Sequence, residues 1–182
     1  MWVVDGMMKL NLKIKQTSEL DEQDLNSLID LKQQYWNYST VEQKKWFEEN
    51  IKADDYHVLI YQGKILIAYL NAVNVEVNID QHKYRMIGIG NVCVDKENAH
   101  VGVGSILMAY VNAFIKQSSS CGILLCNEKL IPFYESSNWK IICPKKLTII
   151  GQSFDHVVML FDPFRMVDVD DNNQMINLSR NF

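Results

Sequence analysis

A chain of 182 residues with 48% hydrophobic content carries enough apolar material for one cored domain, and no run in it approaches the ~20 apolar residues of a membrane-spanning helix. Its formal charge of −4 and sequence pI near 5.5 argue against a nucleic-acid binder that works by neutralising phosphates, and they favour cationic or amine partners. Four cysteines, Cys93, Cys121, Cys126 and Cys143, show no Cys-x-x-Cys pair and no paired histidine spacing. Neither a metal site nor a disulfide framework is indicated, and buried reduced thiols in a cytoplasmic protein are expected.

Residues 1–8 read as an N-terminal extension without a signal-peptide pattern, with Met7 or Met8 as an alternative start. Leu10 to Lys15 alternates apolar with polar residues and predicts a first strand. Ser18 then precedes a predicted helix carrying Leu25, Leu28, Ile29 and Tyr35, with Asp21 and Glu22 in its first turns. Ser39 and Glu42 have capping-box spacing for a second helix that ends near Asn50, anchored by Trp46 and Phe47. His57–Tyr61, a Gln62-Gly63 turn and Ile65–Val77 predict a hairpin. A polar turn at 78–83 leads to a strand that ends at Val94, and the Gly88-Ile89-Gly90 stretch within it predicts a bulge.

Beyond Val92-Cys93-Val94-Asp95 the chain passes through a polar turn into His100-Val101-Gly102-Val103-Gly104-Ser105. Val103, Ile106, Leu107, Tyr110, Val111, Phe114 and Ile115 then recur at helical spacing, so a helix begins where the glycines lie. Its first N–H groups and the positive end of its dipole attract phosphate, and glycines let that phosphate approach the main chain. Two glycines also serve ordinary turns. A short apolar strand, Ile123–Cys126, follows, and then a polar elbow at Asn127, a short helix carrying Phe133 and Tyr134, and an aromatic exit at Trp139. Ile141–Cys143, Leu147–Ile150 and Val157–Phe161 supply further strands, and from residue 166 acidic and amide side chains predict a frayed tail over 166–182.

With both motifs in place, the chain resembles the GNAT acyltransferase superfamily. The family's cradle, Arg/Gln-x-x-Gly-x-Gly/Ala, is met by Ala99 to Gly104 with both glycines kept and the leading polar side chain lost. The family's Asn-x-x-Ala-x-x-Phe-Tyr-x-x-x-Gly-Phe is met by Asn127, Leu130, Phe133, Tyr134, Asn138 and Trp139 at the same places. Asparagine is the side chain that best replaces glycine in a left-handed helix end. The resemblance implies an α+β, three-layer fold with a mixed, mostly antiparallel central sheet splayed at a bulged strand, within residues 9–165. It implies transfer of an acetyl group from acetyl-CoA to a primary amine, without a metal. A weaker likeness, to aminoglycoside 2′-N-acetyltransferases, rests on Tyr134, Trp139 and Pro144.

Carried onto this chain, the resemblance implies that main-chain groups of Val92, Cys93 and Val94 pair with the pantetheine arm. It also places His100, Val101, Gly102, Val103, Gly104 and Ser105 around the pyrophosphate, and Asn127 and Phe133 beside the coenzyme. Tyr134 is then the acid that protonates the departing thiolate, its alternative being packing against Phe133, and the Cys93 N–H is the oxyanion donor. Asn127 can equally cap the short helix. Tyr35, Trp36 and Tyr38 either clamp an acceptor or close the core. Many relatives carry a glutamate where this chain has Gly90, which leaves Glu76, His82, His156 or a water chain as base, or the histidines as structural residues. The acceptor is expected to be a small-molecule amine, with a protein or peptide amine as the alternative. A reading of another class is an acyl-CoA sensor without turnover. No nucleic-acid or membrane partner is expected, and the chain is expected to be a monomer or homodimer.

Overall fold

The computed structural model describes residues 9–169 and 174–182. The expected extension at 1–8, with the alternative starts at Met7 and Met8, lies outside the described residues, as do Asp170 and Asp171 of the tail. The chain runs through β1 (Leu10–Gln16), α1 (Glu22–Gln33), α2 (Thr40–Asn50), β2 (Tyr56–Gln62), β3 (Ile65–Ile79) and β4 (His82–Val94). It continues through α3 (Val103–Gln117), β5 (Gly122–Cys126), α4 (Ile131–Glu135), β6 (Lys140–Ile142), β7 (Lys146–Ile149), β8 (Gln152–Phe154), β9 (Val157–Phe161) and β10 (Met175–Leu178).

Local chemistry accounts for most of these boundaries. Ser39 and Glu42 form the capping box that their spacing predicts: the Glu42 N–H donates to Ser39 Oγ at 3.2 Å and the Ser39 N–H donates to the Glu42 carboxylate at 2.8 Å. The first helix starts later than Ser18 predicts. The Ser18 N–H is taken by the Ala53 carbonyl at 3.2 Å, and Asp21 caps α1 instead, accepting from the Asp24 N–H at 2.8 Å. Tyr35 accordingly falls beyond the end of α1.

The sheet is mixed and mostly antiparallel, in the order β6-β9-β5-β4-β3-β10-β7-β8, with β1 and β2 branching from β3. Face alternation along β5 separates two layers. Leu124 and Cys126 join the cluster under α3, with Leu107, Val111 and Ile115, while Ile123 joins a cluster on the other side with Val77, Val158 and Ile176. Leu28, Ile29 and Leu31 of α1 pack on Leu59, Tyr69 and Cys93. This gives helices on both faces of a sheet, the three-layer arrangement expected.

Two departures shape the site. The predicted bulge is present but lies one step past the glycines: Tyr69 opposes Cys93 and Asn71 opposes Gly90, so Asn91 and Val92 together face one residue of β3, with Asn91 at φ +51°. The glycines answer a different need. A Cβ on Gly88 would lie 2.8 Å from the ring of Phe182, and one on Gly90 would overlap the main chain of Phe182. The described part of the tail is therefore not frayed, and the sheet does not stop at residue 165. Ile176 and Leu178 are buried, and β10 pairs antiparallel with β3 and parallel with β7. Burying those two side chains and closing two ladders outweighs the entropy of ordering a short strand. Arg180 anchors the segment after β10, donating to both carboxylate oxygens of the fully buried Asp55, at 3.0 and 2.7 Å, and to the Asn50 carbonyl.

Candidate active site

The elements around the bulge build the site. Strands β4 and β5 run parallel and pair only from Ile87 to Ile89 on β4, against Gly122 to Leu124 on β5. Past this point the bulge turns β4 away, and a cleft of about 1040 Å³ opens, lined among others by Val92, Asn127, Tyr134, Trp36 and His156. The N-terminus of α3 does not itself line the cleft but adjoins it through α4, whose Phe133 ring approaches Gly104 and whose Tyr134 lines the cleft. Gly102 caps α3 at φ +92°, ψ −4°, with no side-chain cap and no acidic residue in the first turn. The Ile106 N–H is the first to reach back, to the Gly102 carbonyl at 3.1 Å. The N–H groups of Val103, Gly104 and Ser105 thus have no carbonyl of the preceding turn to bond.

The two glycines do different work. At Gly102 a left-handed backbone is required, and nothing lies within 4 Å of the space a Cβ would occupy. At Gly104 a Cβ would stand 3.2 Å from the ring of Phe133, so the missing side chain lets α4 approach α3. His100, at φ +63°, and Val101 are exposed on the loop in front of this helix end. An open loop, a dipole end and three free donors fit a pyrophosphate.

The run from Asn127 to Trp139 folds as its pattern predicts. Asn127 Oδ1 accepts from the Lys129 N–H at 3.1 Å and caps the turn that leads into α4. Asn138 takes the left-handed conformation, φ +66°. Trp139 is buried against Phe161, ring centroids 5.5 Å apart, and its indole N–H donates to Asn112 Oδ1 at 2.9 Å. Between them Tyr134 is 5% exposed, its ring set edge-on to Phe133 at 5.0 Å. Burial, seconded by the nearby Cys126, raises the Tyr134 phenol well above its ordinary range. It is a proton-bearing group facing a cleft.

On β4, Val92 lines the cleft. Cys93 turns its side chain to the α1 layer, where burial pushes the thiol up to about 12, partly offset by Lys32, and leaves it an unreactive core group. The resemblance implies a Val94 carbonyl open to the pantetheine arm. It accepts instead from the Tyr35 hydroxyl, because the chain leaving α1 crosses over the end of β4. Trp36 lines the cleft, and the exposed Tyr38 lies outside it.

The candidate bases separate. Glu76 does not reach the cleft: it sits at the far end of β3, paired with Lys83 at 2.9 Å, and that hydrogen bond lowers its carboxyl pKa. His82 begins β4 at the same end, beside Tyr84, and likewise does not line the cleft. His156 does line the cleft, just before β9 rather than within it. Over Gly90, where relatives place a carboxylate, lies the main chain of Phe182. The most buried histidine, His57, is pushed down to about 4, by burial first and the nearby Lys32 second, and stays neutral between Thr17 Oγ1 and the Tyr69 hydroxyl, each at 2.9 Å. It belongs to the core.

Three side chains near the site were not singled out from sequence: Lys32, Gln43 and Phe182. The first two read as the solvated faces of amphipathic helices, and the third as part of a tail. The small residues Gly88 and Gly90, which read as a bulge, are where Phe182 packs.

A sheet that parts beyond a bulged strand, next to an uncapped helix end, is the architecture of acyltransferases that take a coenzyme A thioester. The model of the acetyltransferase (GNAT) domain matches residues 14–142, and the chain belongs to this family. Similar solved structures include an acyl-CoA N-acyltransferase from Pseudomonas aeruginosa, 16% identical over 85% of this chain and 100% of that one, with a TM-score of 0.64. A GNAT family N-acetyltransferase (YhbS) from Escherichia coli in complex with CoA is 11% identical over 94% of this chain and 91% of that one, with a TM-score of 0.66. An aminoglycoside 6′-N-acetyltransferase complexed with coenzyme A is 14% identical over 86% and 99%, with a TM-score of 0.62. At these identities the likeness is one of fold. Comparison with curated proteins gives no match. Among the described residues no cluster could hold a metal ion, and no helix is long and apolar enough to cross a membrane.

Proposed function

We propose that the protein transfers an acetyl group from acetyl-CoA to the primary amine of a small molecule. The observation that carries this reading is the placement of the buried Tyr134 phenol in the cleft where β4 and β5 part, beside the uncapped end of α3. The N–H groups at the start of α3, in the His100–Ser105 loop, hold the pyrophosphate. Val92 and the main chain of β4, with Asn127 and Phe133, hold the pantetheine arm, and the Tyr35 hydroxyl yields the Val94 carbonyl when that arm enters. The Cys93 N–H stabilises the oxyanion.

In the reaction the amine nitrogen attacks the thioester carbonyl carbon, the C–S bond breaks, and the thiolate takes the Tyr134 proton. The proton lost by the amine leaves through water, a proton returns from water to the Tyr134 phenolate, and His156 lines the cleft as a titratable side chain able to relay either. Tyr134 suits its part because it lines the cleft as a neutral phenol that carries a proton at neutral pH. A small acceptor is preferred over a protein amine because the aromatic Trp36 forms part of the cleft wall. We place the protein in the cytoplasm.

The test is a panel of amines assayed for free thiol release from acetyl-CoA. Turnover of at least one small amine above about 0.1 per second, against a typical enzyme median near ~10 per second, is expected. Binding of acetyl-CoA with no release across the panel would overturn catalysis in favour of an acyl-CoA sensor, a second reading favoured by Phe182 lying where a carboxylate base stands in relatives.

A further inference from the structure

Behind the cleft lies a second cavity of about 520 Å³, which shares Trp36 and Asn91 with it. Its walls are aromatic: Trp36, Tyr38, Trp46 and Phe182. Two donors also line it, and neither is matched. Gln43 is 4% exposed, and its Nε2 has no hydrogen-bond partner among the described residues. Lys32 is also 4% exposed, and its ammonium lies over the Trp46 ring, 4.5 Å from the centroid. No ion pair to Lys32 is present among the described residues.

Two side-chain carboxylates that could have met this lysine are engaged elsewhere. Glu42, on the rim, is held by the Ser39 N–H at 2.8 Å and the Ser39 hydroxyl at 2.7 Å. Asp24 accepts from Lys15 and from the Tyr61 hydroxyl. The Cys93 thiol beneath is neutral. An ammonium largely withdrawn from water beside an aromatic face, with no side-chain counter-charge, is an unfavourable arrangement that an anion would relieve. Burial pushes the Lys32 ammonium down to about 8, which is the same cost expressed as acidity.

We propose that this cavity is an anion subsite for the acceptor, in which Lys32 and Gln43 hold the carboxylate of a substrate that also carries a primary amine and an apolar or aromatic body. The aromatic walls take the body. The shared border at Trp36 and Asn91 lets the amine reach the cleft. The subsite deepens the acyltransferase reading and rests on it for the amine, but anion binding can be measured without turnover.

The test titrates phenylacetate and its neutral isostere phenylacetamide into the full chain, following the indole N–H signals of Trp36 and Trp46 by NMR. Phenylacetate is expected to bind at least tenfold more tightly than phenylacetamide, and Lys32→Met is expected to abolish that preference, with Gln43→Leu reducing it. With acetyl-CoA, phenylalanine should exceed phenethylamine at least tenfold in kcat/KM. Equal binding of acid and amide by the wild-type chain overturns the subsite, whether or not the variants fold, and so does an unchanged preference in folded Lys32→Met. A retained preference for the acid with no thiol release from any amine sinks the acyltransfer reading and the acceptor assignment, and leaves the anion site standing.

Discussion

The side of the cleft that we propose for the coenzyme is built from one continuous stretch, Asn91 to Trp139, and chiefly from main-chain groups placed by backbone conformation: the bulge at Asn91, the left-handed Gly102 and Asn138, the unbonded N–H groups of α3. The proposed acceptor side draws side chains from Lys32, Gln43, Trp46 and Phe182, which meet only because α1, α2 and the C-terminal segment converge there. A ligand that never varies can be held by backbone geometry, which tolerates sequence change. A ligand that differs from protein to protein needs side chains, and these are recruited from wherever the fold brings them.

If that division holds, damage to one side should spare the other. The largest effect is expected from Arg180→Met, which strands the fully buried Asp55 carboxylate and should cost about 3–5 kcal/mol, read as a drop in the urea midpoint. The folded fraction should bind acetyl-CoA normally, while its acceptor side loses the seat of Phe182. An equal loss of coenzyme affinity would mean the two sides are not separable. Next comes Tyr134→Phe, expected to lower turnover by roughly 10²-fold or more at unchanged acetyl-CoA affinity, because the ring still packs and only the proton is gone. Wild-type turnover, with chemistry shown to be limiting, would make Tyr134 a core residue.

Gly102→Asp sets a carboxylate at the dipole end of α3 in a left-handed position, and should raise the acetyl-CoA dissociation constant at least tenfold, or ~1.4 kcal/mol. Unchanged affinity by calorimetry would move the phosphates elsewhere. The smallest effect sharpens the role of backbone conformation: Asn138→Ala, at φ +66°, should destabilise by about 1 kcal/mol, and Asn138→Gly should not. Equal thermal midpoints for the two variants would remove that argument.

The same contrast decides what the sequence discloses. Local codes are legible: the Ser39–Glu42 box, the hairpin at Gly63, and the Asn127–Trp139 run each form from residues a few positions apart, so their chemistry can be read in place. The reason for Gly88 and Gly90 is not, because it stands at Phe182, about half the chain away. Nor is β10, whose four residues come after an acidic stretch and become a strand only because β3 and β7 leave a gap between them. Lys32 on an amphipathic helix reads as solvated, and only tertiary packing under Trp46 makes it a buried cation. Glu76 has the right chemistry for a base, and lies at the wrong end of a 15-residue strand.

The central claim is that the opening between β4 and β5, with the start of α3, is a coenzyme A thioester site. Calorimetric titration of the chain with acetyl-CoA tests it most directly: one saturable site per chain is predicted, weakened at least tenfold by Gly102→Asp and untouched by Lys32→Met. No binding at millimolar acetyl-CoA, in a chain shown to be folded, would contradict it.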